Sequence, residues 1–235
     1  MRYMYREAPR LSQPNATPMK GSLAETTYLI RGRPEVIKWF TSPTKIFIAN
    51  FFWLLASSLD GHPHLPYITP HILLQNEVSG RASATRLGLS VPAVTRIGDG
   101  YILQEYVPAH NAIDYYRGFP AERRRILQEY AGRLAKLHNA GLSKGDTRIQ
   151  NLLITRAGGL VDVDYEMSGR VNNLRRCLDV YVFLHSLSIE TSTQQRDFFD
   201  VYGDRPKEPW PLALILRLGM PLLNIYYDLR GLASI

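Results

Sequence analysis

A chain of 235 residues is long enough to bury a real core, and it suits one two-lobed domain or two small ones. Hydrophobic content of 45% and charged content of 21% exclude global disorder, and the single cysteine, Cys177, excludes an internal disulfide and a cysteine-based metal cluster while fitting a reducing compartment. The net charge of +7 favours anionic partners such as nucleotide phosphates, RNA or an acidic membrane face. The cations are dispersed, with Arg123, Arg124 and Arg125 the only run of three, so no direct sequence-specific nucleic-acid binding is expected.

Residues 1–16 are basic and Pro-containing, lack the apolar stretch of a signal peptide, and read as a loosely ordered lead-in. Asn15-Ala16-Thr17 matches a glycosylation acceptor but is discounted without a secretory signal. Residues 17–40 read as strands: Thr26–Ile30 and Val36–Phe40 are β-branched and aromatic, and Arg31-Gly32-Arg33-Pro34 turns between them. An apolar insertion follows over about 41–70. Its stretch 46–59, IFIANFFWLLASSL, has 14 residues and is too short to span a bilayer. A second apolar segment, 209–227, is interrupted by Arg217 and Pro221. Core helices are the plainer reading of both segments. Membrane-surface contact is the sharper one, because a Phe/Trp-rich face sits in a basic protein. His62 and His64 flank a proline, and with no third ligand they read as part of a turn.

Residues 70–87 form a helix that carries Glu77 and ends at Gly88, and Val91-Pro92 opens an extended segment. Val94–Ile97 and Tyr101–Val107 flank Gly98-Asp99-Gly100, a hairpin signal. Pro120–Asn139 is helical, with apolar residues at Ile126, Leu127, Tyr130, Leu134 and Leu137. A second hairpin brackets Arg156-Ala157-Gly158-Gly159 with Leu152–Ile154 and Leu160–Val163. From about Leu174 the chain is helical except for the Pro-rich stretch 206–211. Strands first and helices later make an α+β domain, with a small antiparallel-sheet N-lobe over 17–107 and a helical C-lobe over 108–235.

Residues 137–166 carry the chemistry. Asp146 is followed five residues later by Asn151, and thirteen residues beyond that lies Asp164. One acid to orient a hydroxyl, plus an amide and a second acid to hold metal on a triphosphate, is the minimum equipment for kinase-type phosphoryl transfer. Upstream, Lys38 sits in the alternating strand Glu35-Val36-Ile37-Lys38-Trp39 and Glu77 on the 70–87 helix, the order in which a phosphate-gripping lysine and its helical anchor occur. Asp162, two residues before Asp164 on the same strand face, competes with it as a metal ligand.

These residues resemble those of the protein-kinase-like superfamily. Leu137-His138-x-x-Gly141 before Gly145-Asp146 is similar to the LHxxGxxHGD approach of RIO kinases, antibiotic phosphotransferases, lipopolysaccharide-core kinases and the small kinase of the KEOPS tRNA-modification complex. Gly21-Ser22-Leu23-Ala24-Glu25 resembles the KEOPS kinase's reduced nucleotide loop, and Glu77, Gly88 and Val91-Pro92 resemble that group's EAxLL…GxxVP segment. The resemblance implies a two-lobed kinase-like fold using ATP and Mg2+. Asp146 becomes the base or orienter, Asn151 and Asp164 the metal ligands, and Lys38 the phosphate clamp held by Glu77. Gly21 lies in the nucleotide loop, and the Glu105 carbonyl and Val107 amide meet adenine at the hinge. Asp179, in Leu178-Asp179-Val180, resembles the C-lobe aspartate that braces the catalytic loop's backbone.

The chain departs from that pattern in five places. Lys144 replaces a histidine, giving KGD. Arg148 stands where typical protein kinases carry a lysine that stabilises the transferring phosphate, a task its charged fork suits. The metal loop reads Val161-Asp162-Val163-Asp164-Tyr165-Glu166, and Glu166, where the family has glycine, is a candidate extra carboxylate. The nucleotide loop has one glycine, and only 15 residues separate Asp164 from Asp179, too few for a peptide-docking activation segment. The acceptor implied is a protein Ser/Thr hydroxyl, or ATPase-like use within a complex. The alternatives are a membrane-surface kinase of a lipid-linked saccharide and a pseudokinase binding module. The chain is expected in the cytoplasm, at the inner membrane surface if segments 46–59 and 209–227 meet lipid.

Overall fold

The computed structural model describes residues 16–18, 27–30, 34–40, 69–187, 192–203 and 205–206. Gly21, the apolar segments 46–59 and 209–227, and nearly all of the 41–70 insertion lie outside the described residues. The fold is α+β and two-lobed. Among the described residues, no helix is long and apolar enough to cross a membrane.

The N-lobe is a five-stranded antiparallel sheet of β1 (Ala16–Pro18), β2 (Thr27–Ile30), β3 (Glu35–Trp39), β4 (Val94–Gly98) and β5 (Tyr101–Glu105), in the order β1-β2-β3-β5-β4. β3 is the middle strand, and its Val36, Ile37 and Lys38 are buried. Its register against β5 sets Trp39 opposite Tyr101, with ring centroids 4.8 Å apart, an aromatic cross-strand pair that fixes the pairing. The predicted hairpin forms at Gly98–Gly100, where Gly100 takes φ 75°, a left-handed conformation glycine adopts without strain.

Helix α1 (Pro70–Arg86) begins where the sequence puts its start signals. The Thr69 hydroxyl accepts a hydrogen bond from the Ile72 amide at 3.3 Å, and Pro70 occupies the first turn, where a missing N–H costs nothing. Past the last turn, Gly88 takes φ 72°, which only glycine adopts cheaply. The helix buries Leu73 and Leu74 against Phe40 and Ile102. Its remaining buried positions include Glu77 and Arg81, two charges aimed at the cleft.

The C-lobe contains β6 (Ala109–Asn111), α2 (Ala112–Gly118), α3 (Arg123–Asn139), β7 (Leu142–Ser143), β8 (Leu152–Thr155), β9 (Leu160–Asp162), β10 (Gly169–Arg170), α4 (Asn173–Ser186) and α5 (Ser192–Tyr202). The predicted stripe of α3, Ile126, Leu127, Tyr130, Leu134 and Leu137, is wholly buried against Phe183 and Phe198. The expected 120–139 helix starts instead with a 3-10 turn, Pro120–Glu122, before α3. Two small sheets, β6-β8-β9 and β7-β10, lie below the cleft. The first contains the second predicted hairpin, β8–β9. In the β7–β10 pair, Leu142 and Ser143, just before the loop 144–151, pair with Arg170 and Gly169.

Candidate active site

The roof of the cleft is organised around the Lys38 ammonium, which is 2.6 Å from Asp164 Oδ1, 3.2 Å from Glu77 Oε2 and 3.4 Å from Glu166 Oε2. Burial works against its charge, but attraction to Asp164, then Glu166 and Glu77, outweighs burial and raises its pKa above the ordinary lysine value. Glu77 is fully buried and fully used. Its Oε1 accepts from Arg81 Nε at 2.6 Å, and its Oε2 accepts from Lys38 and from the Tyr165 amide at 2.7 Å. Burial alone would raise the Glu77 pKa; Arg81 first and Lys38 second reverse that and hold it low. Arg81 then reaches the Pro92 carbonyl at 3.1 Å and Gln104 Oε1 at 2.7 Å, which ties α1 to the sheet.

The floor is the loop 144–151. Asp179 braces it: Oδ2 accepts from the Lys144 amide and Oδ1 from the Gly145 amide, each at 2.8 Å. His138 Nε2 lies 2.9 Å from Asp179 Oδ2, and its Nδ1 lies 2.7 Å from the Tyr202 hydroxyl. Thus the histidine of the LHxxG stretch holds the brace in place. Gly145 has φ 86°, and a β-carbon there would overlap the Met167 carbonyl, so the glycine before Asp146 serves both conformation and close approach. Asn151 Nδ2 donates to the Asp146 carbonyl at 3.3 Å, which fixes the orientation of its side-chain amide. The Val163 amide donates to the Asn151 carbonyl at 3.1 Å, so the loop bearing Asp146 and Asn151 adjoins the segment bearing Asp164.

Asp162 and Asp164 differ in surroundings more than their spacing suggests. Asp162 is fully buried, and its two oxygens are taken by Lys144 Nζ at 3.0 Å and Arg133 at 2.9 Å. Asp164 faces the cleft with its side chain 19% exposed. Its φ of 68° makes it the one non-glycine residue with left-handed backbone among the described residues. Such a conformation costs of order 1 kcal/mol outside glycine and tends to occur at functional positions. Geometry therefore separates the pair: Asp162 is a structural counter-ion and Asp164 faces the cleft.

Arg148 grips Asp146 bidentately, Nε to Oδ1 at 2.8 Å and a terminal nitrogen to Oδ2 at 2.6 Å. Burial pushes the Asp146 pKa up, but the Arg148 charge and hydrogen bonds prevail and hold it below the usual aspartate value. Removing the arginine leaves burial and the Asp164 charge, which raise it, against the smaller lowering influence of Lys144. In Arg148→Ala the acidic limb of the kcat/KM profile is expected at higher pH than in the native protein. A limb at unchanged pH would mean that Asp146 does not govern it.

Glu105 and Val107 lie where the sheet hands over to the C-lobe. The Glu105 amide donates to the Ala93 carbonyl at 2.9 Å and the Tyr106 amide to the Pro34 carbonyl at 2.8 Å, while no hydrogen-bond acceptor lies opposite the Val107 amide among the described residues. Of the residues singled out from sequence, Lys38, Glu77 and Asp164 are in direct contact, and Asp146, Arg148 and Asn151 lie together on the floor. Sequence reasoning missed Arg81, Arg133 and the placement of Lys144. Arg81 had a readable signal, since it stands four residues after Glu77 on the same helix face.

A twisted five-stranded sheet with a helix-anchored lysine, set over a helical lobe with an aspartate-braced loop, is the protein-kinase-like fold. Solved structures with this fold agree. The crystal structure of monomeric WbdD superposes with a TM-score of 0.51 at 18% identity, over 81% of this chain and 44% of WbdD. A structure of the bifunctional kinase-methyltransferase WbdD gives 0.53 at 17% identity over 87% and 46%. The co-crystal structure of WbdD with the kinase inhibitor LY294002 gives 0.51 at 17% identity over 82% and 42%. The chain thus spans less than half the length of these structures, and the likeness concerns the fold. No family model matches the chain, and no curated protein matches it.

Proposed function

We propose that this protein is an ATP- and magnesium-dependent phosphotransferase that moves the γ-phosphoryl group to a hydroxyl acceptor. The observation that carries the reading is the Lys38 ammonium held jointly by Glu77 and Asp164, above a loop bearing Asp146 and Asn151. The donor set suits the cation: magnesium takes hard oxygen ligands and keeps waters and substrate phosphates, so one carboxylate and one amide oxygen suffice from the protein. This agrees with the absence, among the described residues, of any cluster of three His, Cys, Asp or Glu side chains that would make an all-protein metal cage. When bound, the metal neutralises charge on the phosphates as the acceptor attacks.

Lys38 grips the nucleotide phosphates, and Glu77 keeps its ammonium aimed across the cleft. Asp164 and Asn151 supply the oxygen ligands, and the Val107 amide is positioned to bond the base. Asp146 accepts a hydrogen bond from the acceptor hydroxyl and orients it in line. Held at a low pKa by Arg148, it is a weak base, so the proton moves to it late, as the oxygen–phosphorus bond forms and the bond to ADP breaks.

The backbone after Asp164 is pinned: Asn76 Nδ2 donates to the Glu166 carbonyl at 3.2 Å, Ser168 Oγ to the Asn76 carbonyl at 3.0 Å, and β10 pairs with β7. Held in this way, and with Asp179 coming only 15 residues after Asp164, the stretch has little free chain with which to form a peptide-docking segment. A saccharide-type hydroxyl therefore ranks ahead of a protein serine or threonine. With γ-labelled ATP and magnesium, the native protein is expected to release or transfer label, and Asp164→Ala to lose about 10²–10³-fold of that rate. A native protein with no magnesium-dependent turnover would be a nucleotide-fold binding module instead. Label passing to peptides and not to saccharides would reverse the order of acceptors.

A further inference from the structure

A buried ammonium stands directly behind both proposed metal ligands. Lys144 is fully buried, and its Nζ donates to Asp162 Oδ1 at 3.0 Å and to the Asn151 carbonyl at 3.1 Å. That carbonyl also receives the Val163 amide at 3.1 Å, so one oxygen joins the loop carrying Asn151 to the step that leads into Asp164. The lysine is fixed at its other end too, because its main-chain amide is held by Asp179 at 2.8 Å. Its Nζ lies 5.7 Å and 5.4 Å from the ring centroids of Tyr130 and Tyr165, both buried.

Stability gives little reason for a charge here. An ammonium taken out of water is costly even when paired, and an apolar side chain of similar length would pack between the two tyrosine rings without that cost. What methionine cannot do is bond two oxygens on separate loops at a fixed distance. Arg133 also bonds the other oxygen of Asp162 but is shared with Glu129, at 3.2 Å, so Lys144 both balances Asp162 and, as its distinct task, clips onto Asn151.

We propose that Lys144 is a positioning residue whose ammonium sets the spacing of Asn151 and Asp164, and with it the affinity for the divalent cation. The proposal rests on the phosphotransferase reading, and a binding measurement separates the two. Free Mn2+ is titrated by electron spin resonance in the presence of ATP, with thermal unfolding in parallel, for the native protein, K144M and the double variant K144M/D162N. The native protein is expected to bind Mn2+ with ATP. K144M is expected to weaken that binding by about 10–100-fold, the range found when a residue supporting a metal ligand is removed. The double variant, freed of the extra buried carboxylate charge, is expected to regain the unfolding midpoint while the weakened Mn2+ binding persists.

Native-like Mn2+ binding in either folded variant overturns the proposal. So does recovery of both properties in the double variant, which would make Lys144 a neutraliser of Asp162, or failure of both variants to fold, which would make it a stability residue. If the native protein binds no Mn2+ with ATP, the phosphotransferase reading itself fails.

Discussion

Asp146→Asn is expected to lower kcat for ATP-dependent phosphoryl transfer by about 10²–10⁴-fold, the usual contribution of a positioned acid–base group, while the ATP KM changes little. Asparagine keeps an oxygen for the Arg148 fork, so the loop stays folded and the loss reports charge at the acceptor hydroxyl rather than collapse. The split between kcat and KM follows from the geometry. In the proposed mechanism the nucleotide is held by Lys38, Asp164 and the hinge, whereas Asp146 sits on the floor with Arg148 and the Asn151 amide. Steady-state kinetics on both proteins check this, and a variant with native kcat would remove Asp146 from the mechanism.

The largest stability effect is expected at Glu77. Its buried carboxylate accepts from Lys38, Arg81 and the Tyr165 amide, so Glu77→Ala removes at once the carboxylate partner of Arg81, one of three beside Lys38, and the acceptor of the Tyr165 amide. Breaking a buried charge network from one side costs about 3–5 kcal/mol. At about 2–4 °C per kcal/mol for a chain of this size, the unfolding midpoint drops by roughly 6–20 °C. The effect carries a pH signature. Because the folded pKa of Glu77 lies below its unfolded value, its contribution is complete above the ordinary carboxylate range and is lost as pH falls through the folded pKa. Native and variant midpoints should therefore differ most near neutral pH and converge in acid. A pH-independent gap would assign the loss to packing.

Elements that announce themselves by punctuation were readable from sequence. Thr69, Pro70 and Gly88 delimit α1, and Gly100 and Gly158 mark the two hairpins, because those residues answer local backbone demands. β6, β7 and β10 were missed, since strands of two or three residues are too short for alternation to show. Lys38 and Glu77 were legible through order and element type. What sets Asp162 apart from Asp164 was not: Asp162 ends β9 while Asp164 lies beyond it with left-handed backbone, correcting the expected shared strand face, and the long-range partners Lys144 and Arg133 occupy Asp162. The same reason hid Lys144: nothing in a KGD triplet says that the lysine turns inward.

Charge around Lys38 has a consequence for what can enter. Among the described side chains there, Lys38 and Arg81 supply two positive charges, while Glu77, Asp164 and Glu166 supply three negative ones, a surplus of one (3 − 2). The Asp146 carboxylate is already matched by Arg148, but a bare triphosphate reaching this inner acidic ring meets like charge. A nucleotide arriving already chelated does not, since its cation is what the surplus carboxylate seeks. The outer surface, in a protein of net charge +7, draws polyanions in from a distance. For the proposed phosphotransferase, attraction outside and repulsion inside together favour a nucleotide that arrives with its metal over one that arrives bare.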